Sequence, residues 1–240
     1  MSTPDAVAVL DMDGVLLTLP LDTDGLRAAA ELELRGAGMT RQLRPFMQPL
    51  EASLLELATR APERADALRA RIWGLIDAEE RRAAELARPI PGARAMLDRL
   101  QSAMPVALYT NNDEQAARRA LTVVGVDPTR FFAVQARTQP RSLKPSPTPL
   151  QTILDAAGPG VRRLYFVGDH PWDMQSAVQA QRSLRQVGRA DVTVIGVALL
   201  RSRWSAEILG REGASFVARD HAEVADWVLA DRARGDASSA

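Results

Sequence analysis

Short apolar runs rich in β-prone residues recur along the 240-residue chain, at 6–10 (AVAVL), 106–110 (VALYT), 131–135 (FFAVQ), 164–168 (LYFVG), 192–197 (VTVIGV) and 215–218 (SFVA). They are close to continuously apolar. An antiparallel strand with one wet face would alternate, so runs of this kind suit a parallel sheet covered on both faces. Helical patterns separate them, at 93–103, 114–125, 147–157, 172–187, 205–211 and 223–230. Strand and helix in regular alternation predict an α/β fold with a doubly wound, Rossmann-like parallel sheet as its core.

One segment breaks the alternation. Residues 18–88 carry no convincing strand over about 70 residues, far beyond the usual strand-to-helix loop of about two to six. The segment is therefore expected to be an all-helical inserted domain. Within it, DTDGLRAAAELELRGAG offers Asp22 or Asp24 as a helix start and Gly36 or Gly38 as a stop. Beyond Pro62, the residues Leu68, Ile72, Leu75, Ile76 and Leu86 are spaced mostly along one helical stripe. Pro89, Pro91 and Gly92 then mark the return to the core. The predicted organisation is a core of 1–17 and 89–232, a helical insertion at 18–88, and a disordered tail at 233–240.

Composition narrows the function classes. Acidic and basic residues number 30 each, giving a formal net charge of zero, so no global field draws the chain to nucleic acid or an anionic membrane. There is no cysteine, which excludes disulfides, thiolate catalysis and cysteine metal sites and suits a reducing compartment. The start, MSTPDAVAVLDMDG, does not read as a secretory signal, and no apolar run approaches the ~18 residues of a membrane span. A cytoplasmic protein is expected, as a monomer or a homodimer. The 30 basic residues comprise 29 arginines and a single lysine, Lys144. That bias is ordinary background from coding composition, or it marks a site that needs a compact ammonium where a planar guanidinium would not fit.

In a doubly wound sheet, ligands bind beyond the carboxyl ends of the strands. Four polar islands stand there or nearby. Asp11 and Asp13 follow the first run in DMDG, and Gly14 lets the backbone turn. Thr110, Asn111 and Asn112 follow the second in YTNND. Lys144 lies in SLKPSP, before a predicted helix, and Asp169 and Asp173 flank a turn in VGDHPWDMQSA. Taken singly, each island has a bland alternative: an acidic turn, a helix cap, a solvated lysine. Taken together they read differently. Four carboxylates at one sheet edge resist joint ionisation unless a cation neutralises them. Oxygen donors without a histidine or cysteine cluster favour a hard ion, Mg²⁺ foremost. A hard cation, a lysine, amide and hydroxyl donors and a spare carboxylate are what phosphoryl chemistry requires.

At this point LDMDGVL, LYTNN, LKPSP and FVGDHPWDMQSA, in this order, resemble the four motifs of the haloacid dehalogenase superfamily. The helical insertion resembles the small cap of its phosphoglycolate-phosphatase-like branch. The resemblance implies that Asp11 is the nucleophile, carrying a covalent aspartyl phosphate, and that Asp13 protonates the leaving alcohol and later activates water. It implies Mg²⁺ held by Asp11, the main-chain carbonyl of Asp13, Asp169 and Asp173. Thr110 and the Asn111 amide would bind phosphoryl oxygens, and Lys144 would orient Asp11 against them. An acid at Asp13 argues for phosphate esters over halides, since a halide leaves without a proton.

The expected function is a Mg²⁺-dependent phosphatase acting on a small phosphorylated metabolite. The alternatives are a sugar phosphomutase with the same chemistry, and a non-catalytic binding or regulatory protein on the same fold. Two departures stand out: Leu17, Thr18 and Leu19 where acidic and small residues are common in the branch, and a long helix after DMQSA. Arg41 and Arg44 are expected on a solvated face. His170 is expected at the rim, Trp172 packed on the sheet, and His221 at a helix start without chemistry.

Overall fold

The five residues of AVAVL are fully excluded from solvent, which a strand achieves only with neighbours on both edges and cover on both faces. The computed structural model describes residues 4–137, 143–201 and 203–237. Ser142, which opens the SLKPSP stretch, and residues 238–240 of the predicted tail lie outside the described residues. Along the chain run β1 (Ala6–Leu10), β2 (Leu17–Thr18), α1 (Thr23–Gly36), α2 (Met47–Arg60), α3 (Pro62–Glu85), β3 (Arg88–Pro89), α4 (Ala93–Ala103) and β4 (Val106–Tyr109). Then follow α5 (Glu114–Val123), a 3-10 turn (Pro128–Arg130), β5 (Val134–Gln135), α6 (Thr148–Ala157), β6 (Arg163–Gly168), α7 (Pro171–Gln186), β7 (Thr193–Leu199), α8 (Ala206–Arg211), β8 (Ala214–Ala218) and α9 (His221–Ala237).

The chain divides into two units: one of residues up to Thr18 and from Ala87 onward, the other Leu19–Leu86. In the first, six strands form one sheet in the order β5-β4-β1-β6-β7-β8, and every neighbouring pair is parallel. The chain builds outward from β1 through β4 to β5, then returns to β6 on the other side of β1. Strand order thus reverses beside β1, the place where an open α/β sheet leaves a crevice at its carboxyl edge. Val7, Val9, Leu164 and Phe166 pack in one core with Leu150 and Ile153 of α6 and Ala180 of α7. The fold is the expected doubly wound α/β core. A two-stranded ribbon, Leu17 against Pro89 and Thr18 against Arg88, joins the two points where the chain leaves and re-enters this unit.

The second unit is helical, with its own core of Leu34, Leu50, Leu54, Leu68 and Ile72. Pattern reading leaves α2 unassigned, although its buried Leu50, Leu54 and Leu57 carry the spacing of one helix face. The stripe predicted on α3 is narrower than the sequence implies. Leu68, Ile72 and Ile76, four apart, are buried, while Leu75 is 39% and Leu86 52% exposed. Leu75 lies to one side of that row, and Leu86 falls past the last helical turn.

The C-terminus also differs from expectation, because α9 continues through 233–237, where composition assigns a tail. Side chains near its end hold it to the core. Arg232 forks onto both oxygens of Asp5 at 3.2 and 2.7 Å and donates to the Ala103 carbonyl. Asp231 accepts from Tyr165 Oη at 2.9 Å and from Arg163 at 3.0 Å.

The core around β6 gives a direct test of this packing. Leu164→Ala, at a fully buried position, is expected to lower unfolding stability by about 2–5 kcal/mol. Urea denaturation measures it, and a loss under ~1 kcal/mol would contradict the packing described.

Candidate active site

Helix caps decide first which polar residues are free for chemistry. Asp113 caps α5, accepting from the amides of Gln115 and Ala116, so Thr110, Asn111 and Asn112 are not needed for that task. His170, not Asp169, caps α7: its Nδ1 accepts from the Trp172 amide at 3.1 Å. Asp173 completes a capping box, its Oδ2 accepting from the His170 amide at 2.9 Å. Asp173 is fully buried, and the solvated alternative for it falls away.

The loop after β1 is folded tightly on itself. The Met12 carbonyl accepts from the amides of Val15, Leu16 and Leu17 at 3.3, 2.8 and 3.1 Å, and Gly14 donates to Leu17 at 2.9 Å. Gly14 has φ +85°, and a Cβ at this position would overlap the Asp169 carboxylate. Glycine is required here for both reasons. His221 secures the loop from the far end of the chain, with its Nε2 2.7 Å from the Val15 carbonyl. This residue is 2% exposed, and its structural role is invisible in a sequence that shows only a histidine at a helix start.

Three carboxylates converge beyond β1 and β6. Asp11, Asp169 and Asp173 each present an oxygen within 4.8 Å of the others. Lys144 Nζ lies 2.6 Å from Asp11 Oδ1 and 2.8 Å from Asp173 Oδ1. Lys144 is 6% exposed. Asp13 stands half-buried nearby, its charge acting on Asp169. Its carboxylate is not one of the three. Thr110 Oγ1 donates to Asn112 Oδ1 at 2.9 Å and accepts from the Asn112 amide at 3.2 Å. Asn111 Oδ1 accepts from the Lys144 amide at 2.8 Å, tying the second island to the third.

Electrostatics follow from this crowding. Burial pushes the Asp11 carboxyl well above the usual carboxylate range, Asp173 and Asp169 push it the same way, and Lys144 opposes them. Asp169 is pushed up to about 7 by burial and then by Asp173 and Asp13. Burial works against the Lys144 ammonium, yet Asp11 and Asp173 together hold its pKa above the ordinary lysine value. One ammonium balances only one of three gathered carboxylates. The donor set is oxygen alone, and the missing Cβ at Gly14 lets the Asp169 carboxylate approach the loop, so the residues fit a hard divalent ion.

Some contributors escape pattern reading. Arg137 donates from its amide to the Asn112 carbonyl at 2.9 Å and from Nε to the Asn111 carbonyl at 3.1 Å, clamping the loop after β4. Tyr109 and Phe166, read as strand core, stack at 5.5 Å beneath Lys144. The His170 ring packs against Trp172 at 4.9 Å and Trp204 at 5.3 Å. In the helical unit, Arg41 pairs with Glu56 at 3.0 Å and Arg44 lies 3.7 Å from Asp24, all well exposed.

With this geometry in view, the comparisons with known proteins converge. A family model described as haloacid dehalogenase-like hydrolase matches residues 6–181, and the chain belongs to that family. A phosphoglycolate phosphatase from Rhodospirillum rubrum is 29% identical over 147 residues, which is 61% of this chain. The match spans 55% of that relative's length. Among solved structures, a haloacid dehalogenase-like hydrolase from Streptococcus pneumoniae aligns with TM-score 0.59 at 18% identity, covering 95% of this chain and all 100% of the other. A hydrolase from Pseudomonas syringae gives 0.60 at 19%, covering 90% and 94%. At these identities the two structures establish the fold.

Two measurements test the site. Gly14→Ala is expected to cost about 1–2 kcal/mol from backbone strain alone, and more from displacing Asp169; thermal unfolding beside Mg²⁺ titration reads both losses. Asp169 holds its proton more tightly folded than unfolded, from 3.8 to about 7, so the folded state is the better proton binder between those values. In EDTA, the stability of the protein relative to Asp169→Asn should therefore fall as pH rises from about 4 to about 7. A rise across that window would refute the assignment.

Proposed function

We propose that the protein is a Mg²⁺-dependent phosphatase that hydrolyses a small phosphorylated metabolite through an aspartyl phosphate on Asp11. The observation that carries this reading is the Lys144 ammonium lying between Asp11 and Asp173, in a carboxylate cluster at the reversal point of the sheet. Family membership and the phosphoglycolate phosphatase relative support it.

In this reading Asp11 attacks phosphorus and forms a new O–P bond while the bond to the ester oxygen breaks. Asp13 gives its proton to the departing alkoxide, then takes one from the water that cleaves the acyl phosphate. That water restores Asp11 and releases inorganic phosphate. Lys144 holds the Asp11 carboxylate in one orientation and presents positive charge to the phosphoryl group. Thr110 Oγ and the Asn111 amide supply donors to phosphoryl oxygens, on a loop that Arg137 and Lys144 hold through main-chain bonds. Mg²⁺, held by Asp11, the Asp13 carbonyl, Asp169 and Asp173, would neutralise the crowded carboxylates and the charge of the phosphoryl group.

A cytoplasmic enzyme accompanies this reading, as a monomer or a homodimer. A cysteine-free chain suits such a compartment.

Hydrolysis of para-nitrophenyl phosphate tests the proposal. Turnover is expected with Mg²⁺, is expected to stop in EDTA, and should fall by at least about 10³-fold in Asp11→Asn. Absence of phosphate release across a broad panel of phosphate esters would overturn it, and isomerised sugar phosphate without release would point to the mutase instead.

A further inference from the structure

The proposed chemistry explains why Lys144 faces two carboxylates, but not what holds the ammonium from its other side. Nζ lies over the Tyr109 ring, 5.1 Å from its centroid, and over the Phe166 ring, 5.3 Å from its centroid. The two rings stack on each other with centroids 5.5 Å apart and planes 19° from parallel. Tyr109 is 1% exposed and Phe166 fully buried. Both distances lie within the range in which a ring face attracts a cation, and desolvation strengthens the attraction. The rings come from the last residue of β4 and from β6, strands on either side of β1, so the sheet itself sets their positions.

We infer that Tyr109 and Phe166 form an aromatic floor that positions the Lys144 ammonium for the reaction. An ammonium carries three N–H donors. Two face Asp11 and Asp173, and among the described residues no third acceptor is at Nζ. A hydrogen-bonding residue beneath the lysine would take that donor; a ring face stabilises the charge without fixing a proton on itself. The third N–H is thereby kept for an anion arriving at Asp11. The floor also gives a reason for lysine, and not arginine, at position 144. A planar fork directs its donors sideways and needs more room than a compact ammonium held between two carboxylates and two ring faces. Tyr109 and Phe166 are positioning residues here, acting through Lys144.

The inference rests on the phosphatase reading only for the third N–H; the floor is tested without turnover. Lysine labelled with a heavy isotope at its ε-carbon gives one side-chain NMR signal in this protein, because the chain has one lysine. Its ε-methylene protons are expected upfield of their random-coil position, shielded by the ring faces, and Tyr109→Leu should move them downfield. Tyr109→Phe, which keeps the face and loses the hydroxyl's hydrogen bonds, that to the Ser146 carbonyl among them, should leave the signal in place. In kinetics, Tyr109→Leu should lower kcat roughly tenfold to thirtyfold, the size of one desolvated cation–π contact, and Tyr109→Phe should restore it to within about twofold. In urea unfolding, Tyr109→Leu and Lys144→Met should be non-additive. An unshifted lysine signal in the unmodified protein, or additive stabilities, would overturn the floor. A shifted signal in a protein that turns over no phosphate ester would keep the floor and sink the phosphatase reading.

Discussion

Three carboxylates held at one sheet edge repel each other, and a buried ammonium is what lets them coexist. In a medium that screens charge poorly, each added carboxylate raises the energy of the others, and burial removes the water that would relieve them. Lys144 answers part of that repulsion at 2.6 and 2.8 Å. Burial first, and then the neighbouring carboxylates, make the Asp11 and Asp169 carboxyls hold their protons so tightly. A group of charges that folding alone would disfavour is stable only in a surround that fixes it, and the rest of the first unit serves that purpose. The reversal of strand order brings β1 and β6 side by side, the capping box locks Asp173, and Gly14 leaves space for Asp169.

Much of this was legible in the chain, for a physical reason. Strands buried on both faces must be apolar along their length, so the runs ending at Leu10 and Gly168 stand out, and the polar residues after them mark the carboxyl edge. All six predicted strands are present, in one parallel sheet. The four islands stood out as a set because chemistry fixes residue types at strand ends more tightly than packing does. What stayed hidden depends on tertiary neighbours. His221 and Val15 are 206 positions apart, and no local pattern pairs them. Tyr109 and Phe166 obey the rule for buried strands and so conceal a second duty. The tail expected from 233 is helical through 237 because Arg232 finds Asp5, a contact that composition cannot encode.

Capping shows how local structure and chemistry share residues. Asp113 and His170 occupy the cap positions, and that division releases Thr110 and Asp169 for the crevice. The ordinary explanation for a polar residue at a strand end is that a helix needs it; here α5 and α7 are capped by other residues. The His170 ring also packs against Trp172 and Trp204, and its amide donates to Asp173, so one residue at the start of α7 joins aromatic packing to the carboxylate cluster. The helical unit keeps a separate hydrophobic core.

The bond from His221 to Val15 has a consequence for biosynthesis. β1 sits in the middle of the sheet, and the loop behind it waits for a partner that leaves the ribosome 206 residues later. At about 5–20 residues per second, that interval is roughly 10–40 s. During it the nascent chain carries its acidic loop without the clasp from α9, so the crevice matures only after α9 has emerged.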